Sequence, residues 1–75
     1  MSKFTQLSKA AIQDNKNVII SVDDENKISV AQQLVVDDNG ITQHIFLKNA
    51  INTDVEGLKN IKLAIEAAIE KIEKN

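Results

Sequence analysis

The 75 residues, 43% hydrophobic and 27% charged, describe one globular domain (residues 1–75) with a small core, and a net charge of −2 makes no field that gathers or repels nucleic acid. The absence of cysteine excludes disulfides, thiolate nucleophiles and thiolate metal sites, and because small secreted domains usually need such staples the expected setting is cytoplasmic. All nine basic residues are lysines, so the guanidinium fork that reads guanine and phosphate bidentately is missing and sequence-specific DNA reading is disfavoured.

Met1-Ser2-Lys3-Phe4 has no continuous apolar stretch of a signal peptide, and no apolar run elsewhere is long enough to span a membrane. Residues 4–12 fit either a short helix through Phe4, Leu7, Ala11 and Ile12 or an extended edge segment, the second being preferred. Asp14-Asn15-Lys16-Asn17 reads as a turn, followed by a β-branched strand over about 17–22 whose Val18, Ile20 and Val22 share one face. After a second turn, Asp23-Asp24-Glu25-Asn26, a strand over about 27–36 puts Ile28, Val30, Leu34 and Val36 on that face, with Gln32 interrupting. Asp37-Asp38-Asn39-Gly40 has the residues a tight hairpin demands, and a strand over about 41–48 returns with Ile41, Ile45 and Leu47 inward. Thr42, His44, Phe46 and Lys48 then share the opposite face with Lys27, Ser29, Ala31 and Gln33. Phe46 belongs either to a second small core under the N-terminal segment or to a surface facing a partner; both readings stay open.

Residues 49–52 are expected to link sheet to helix. Thr53 then caps a helix over about 54–73, with Glu56 completing a capping box and Lys71 and Lys74 suiting its C-terminal end. Leu58, Ile61, Ile65, Ala68 and Ile72 recur at helical spacing, and Val55, Leu63 and Ile69 are expected to widen the stripe. Part of it is expected to cover the sheet and the rest, around Leu63 or Ile69, to meet a second subunit; full coverage of its own sheet is the alternative. The expected fold is therefore α+β: an antiparallel sheet of three to four strands followed by one long C-terminal amphipathic helix packed on it. Leu58, Ile61, Leu63, Ile65, Ile69 and Ile72 are the candidate dimer interface.

Catalytic chemistry finds little material. One histidine, four serines and turn carboxylates on so thin a scaffold enclose no pocket for a small-molecule substrate, so the chain reads as non-enzymatic. Neither acidic turn has calcium-loop spacing, a lone histidine makes no zinc site, and two isolated glycines make no phosphate-binding loop, so no cofactor or metal is expected.

The order of Val18 to Val22, Lys27 to Val36, Asp37-Asp38-Asn39-Gly40, His44-Ile45-Phe46-Leu47 and a terminal helix resembles, over roughly residues 16–73, the single-stranded-DNA-binding transcriptional coactivators of the positive-cofactor type, including their bacterial and phage relatives. The resemblance implies a homodimer paired through its helices, with curved β-ribbons holding unpaired DNA. It does not extend to the central strand, where that family carries a basic and aromatic cluster and this chain has Ala31-Gln32-Gln33-Leu34. Lys27, Gln33, His44, Phe46 and Lys48 remain as candidate contact residues for nucleic acid or another partner. The arginine-free, Lys-, Asn- and Ile-rich composition suits an AT-rich bacterial or phage genome. Two functions follow as expectations: a homodimeric accessory factor that docks on a protein, or a module for single-stranded nucleic acid.

Overall fold

The computed structural model describes residues 3–74, so Met1 and Ser2 of the N-terminal reading lie outside it. Five strands and one helix follow in order: β1 Thr5–Gln13, β2 Lys16–Val22, β3 Ile28–Asp38, β4 Ile41–Phe46, β5 Ile51–Thr53 and α1 Val55–Glu73. All five strands form one antiparallel sheet in the order β1-β2-β3-β4, with β5 also paired to β3, so the fold is α+β. The ambiguous N-terminal segment is an edge strand. Its pairing with β2 is irregular at Leu7 and at Ile12, so its two large aliphatic residues fall where the ladder breaks, and both stay exposed.

Turn chemistry sets the register. Asn39 and Gly40 both have positive φ, 54° and 81°, as a two-residue hairpin between right-twisted strands requires. At the β2–β3 turn, Asp23 Oδ1 accepts from the backbone N–H of Glu25 at 2.9 Å and of Lys27 at 2.8 Å, while Asn26 takes the left-handed conformation at φ 62°. The Asn15 carbonyl accepts from Val35 N–H at 2.8 Å and so ties the first turn to β3.

Two strand boundaries depart from the sequence reading. β4, expected over about 41–48, stops at Phe46, and residues 49–52 are no simple link, because Ile51–Thr53 rejoins β3 opposite Ile28, Ser29 and Val30. Between the last β4 pair, Gln33 with Phe46, and the first β5 pair, Val30 with Ile51, four residues of one chain segment stand opposite two of β3. Leu47 N–H still reaches the Gln32 carbonyl at 2.9 Å before the chain swings out.

The helix cap moves by one residue for the same reason. Thr53 is held in β5 opposite Ile28, so Asp54 becomes the N-cap, and its side chain accepts from Gly57 N–H at 2.8 Å. Gly57 is needed there for space: a Cβ on it would run into the Thr53 hydroxyl.

The apolar interior is thin. Among the described residues only Ile19 and Ile28, 2% and 3% exposed, are buried apolar side chains, and they lie on opposite faces of the sheet. Ile19 lies on the face opposite the expected apolar one, mid-strand between Lys9 of β1 and Ala31 of β3. The helix lies across the face of Val18, Ile20 and Val30, as its stripe predicts, yet none of its residues is buried. It approaches the sheet closely only at β5.

Replacing the cap, Asp54→Ala, is expected to lower unfolding stability by about 1 kcal/mol in urea denaturation followed by circular dichroism. An unchanged midpoint would return the capping role to Thr53.

Candidate binding surfaces

The cross-strand pairs assign every strand residue to one of two faces, because directly opposed residues project to the same side. Val18, Ile20, Val30, Leu34, Val36, Ile41 and Ile45 share the first face; Ile19, Ser21, Ser29, Ala31, Gln33, Val35, His44 and Phe46 share the second.

Contrary to the expectation that so thin a scaffold encloses no pocket, on the first face the helix stands over the sheet and leaves a cleft of about 540 Å³ with an almost wholly apolar lining. Val18, Ile20 and Val30 form its floor and Leu58, Ile61 and Ile65 its roof, while Lys59, Lys62 and Glu66 stand at the rim. Lys62 and Glu66 approach to 4.0 Å, a loose and exposed pair that holds little energy. The cleft residues end at Glu66, but the stripe continues through Ile69 and Ile72, 48% and 72% exposed. Leu63, expected to widen the stripe, lies apart from it. At 3.6 residues per turn it lies about 140° around the helix from Leu58, and it is exposed on the side away from the cleft.

The second face carries a smaller depression of about 240 Å³, lined by Phe4, Ser21, Ser29, Ala31 and Phe46. Phe4 and Phe46 are the only aromatic residues in the chain, and both are exposed. Phe46 does meet the N-terminal segment, as one of its two readings has it, but no core forms there, since Phe4 and Phe46 are each 56% exposed; the two come together through the β1–β2, β2–β3 and β3–β4 registers. With serine and alanine as the other lining residues, the two exposed phenylalanines are the large side chains of this depression, an arrangement that suits a flat or apolar group placed against them.

The remaining candidates scatter. His44 sits on this face opposite Val35 and next but one to Phe46. Lys27 and Lys48, read from sequence as strand residues, are not: Lys27 ends the β2–β3 turn, where its ammonium lies 3.5 Å from Glu25, and Lys48 belongs to the irregular segment after β4. Gln33 corrects a further expectation. It is only 7% exposed, and its Oε1 accepts from Asn17 Nδ2 at 3.4 Å, so this side chain is part of the sheet's interior. A polar strand residue opposite another polar residue is drawn into such pairing by the need to satisfy its amide.

Among the described residues no group of three or more His, Cys, Asp or Glu side chains is arranged to hold a metal ion, and no helix is long and apolar enough to cross a membrane. Comparison with protein-family models, with curated proteins and with solved structures finds no match to this chain.

The interior role of Gln33 separates it from Lys27 and Lys48. Gln33→Ala is expected to cost about 1 kcal/mol in a denaturant titration, whereas Lys27→Ala and Lys48→Ala each stay within about 0.5 kcal/mol.

Proposed function

We propose that the chain is a non-enzymatic binding module that works as a homodimer, with the aromatic face of its sheet as the surface that receives a partner. One observation carries the dimer. The chain exposes 6195 Å², whereas a compact monomer of 8.3 kDa exposes about 4,600 Å². The excess of roughly 1,600 Å² per chain matches what one subunit contributes to an obligate homodimer interface. The radius of gyration of 14.7 Å, against about 11 Å for a compact chain of this length, agrees. The uncovered area is also of the right kind, since the helix stripe and the cleft it roofs are aliphatic.

With the aliphatic face used between copies, the face of Phe4 and Phe46 is left for the partner. A protein segment is the first reading, because the chain has no arginine and a net charge of −2, and a partner's apolar side chain fits between two phenylalanine rings. A second reading has its own support. Two ring surfaces across a shallow depression offer stacking platforms to unpaired bases, which bind such platforms without sequence preference.

Light scattering should give twice 8.3 kDa, and the melting temperature should rise with protein concentration. A monomer at all concentrations with a fixed melting temperature refutes the dimer. For the partner, a labelled single-stranded oligonucleotide is titrated at low and moderate salt. Binding that weakens with salt and is lost on Phe4→Ala and Phe46→Ala selects nucleic acid; no binding at micromolar protein leaves the protein reading.

A further inference from the structure

We propose that in the homodimer the C-terminal half of each helix lies on the β3–β4 ribbon of the other copy. This rests on the homodimer reading above and specifies which surfaces meet. β2 pairs with β3 only as far as Leu34, while β4 continues alongside β3 to Asp38. From Val36 to Gln43, therefore, two strands project with only each other for support, and a free two-stranded ribbon is marginal in water. One side of it carries the exposed Val36 and Ile41 with Gln43 and Asp38 opposite them, the exposed Ile45 stands at its base opposite Leu34, and this side continues the face that the chain's own helix roofs farther back. The helix, for its part, carries Ile69 and Ile72 past the end of the cleft.

Each chain thus has one sheet surface without a helix and one helix end without a sheet. In a two-fold dimer, when patch i of one copy meets patch j of the other, j also meets i, so a single contact type satisfies all four patches. A helix on a sheet face is also the layer arrangement that this chain already uses over Val18, Ile20 and Val30. Charge adds no preference: the ribbon tip has Asp37 and Asp38, and the last turns of the helix carry Lys71 and Lys74 beside Glu70 and Glu73, with Lys74 paired to Glu70 at 2.8 Å, so the contact rests on the aliphatic side chains.

A chain without cysteine permits a direct test. Ile45→Cys and Ile69→Cys are made separately with tags of different mass, mixed, equilibrated and oxidised, with Leu63→Cys in place of Ile69→Cys as the control. All three positions are at least 44% exposed, so the variants should fold, as circular dichroism verifies. Because a disulfide forms only where Cα atoms come within about 7 Å, the mixed species joining positions 45 and 69 should dominate over both self-linked products, and the control mixture should lack it. A dimer in which Ile69→Cys links mainly to itself overturns the proposal in favour of helix meeting helix. Equal linking by Leu63→Cys also overturns it, as random collision. Light scattering on the same samples separates these results from a monomer, which would remove the homodimer reading and this contact together.

Discussion

The helix and the sheet of this chain have apolar surfaces that face each other and stay apart. The two elements join directly. Thr53 is the last residue of β5, paired to Ile28, and Asp54 is already the cap of the helix, so no linker separates the two elements. With its start held at the sheet, a rod of 19 residues, about 28 Å long, approaches the sheet closely at β5 and leaves the cleft over Val18, Ile20 and Val30 open. Gly57 shows how close the junction is, since even a methyl group there would meet the Thr53 side chain. Among the described residues only two aliphatic side chains are buried, although the chain is 43% hydrophobic.

That constraint divides the molecule into two surfaces of different chemistry. The cleft face is mainly aliphatic from the helix through the middle of the sheet to the ribbon, interrupted by Gln32 and Gln43, the kind of surface that binds by area. The other face has Ile19 already buried and the amide of Gln33 already paired, and it offers outward two aromatic rings beside a patch of hydroxyls and methyls, with Val35 and His44 farther along the ribbon. The first surface suits association of copies, and the second suits recognition, because rings flanking a depression define a position more sharply than a flat aliphatic patch does.

Much of this was legible in the sequence where the signal was local. Asn39-Gly40 announced the hairpin, Val18 to Val22 the strand, and Leu58, Ile61 and Ile65 the side of the helix that faces the sheet. Nonlocal determinants were less visible. The strand Ile51–Thr53 is too short to show a pattern, and its recruitment by Ile28 displaced the cap from a plausible Thr53-x-x-Glu56 box to Asp54. β1 hid its type because two ladder irregularities spoil its alternation. Leu63 looked like part of the stripe by composition but not by angle.

The juxtaposition of Phe4 and Phe46 depends on two registers at once. Phe46 reaches the second face because a two-residue turn at Asn39-Gly40 fixes Gln33 as its opposite number; a slip of one residue would send it into the aliphatic cleft and turn Ile45 outward. Phe4 reaches the same depression from the far edge of the sheet, across β2 and β3, through the pairing of Thr5 with Val22 and Gln6 with Ser21. The irregularity at Leu7 helps, because without it the alternation of β1 up to Lys9 would place these N-terminal residues on the other face. The bulge that exposes Leu7 therefore also sets the face to which Phe4 belongs, and the recognition surface is built by the departure of the edge strand from regular pairing.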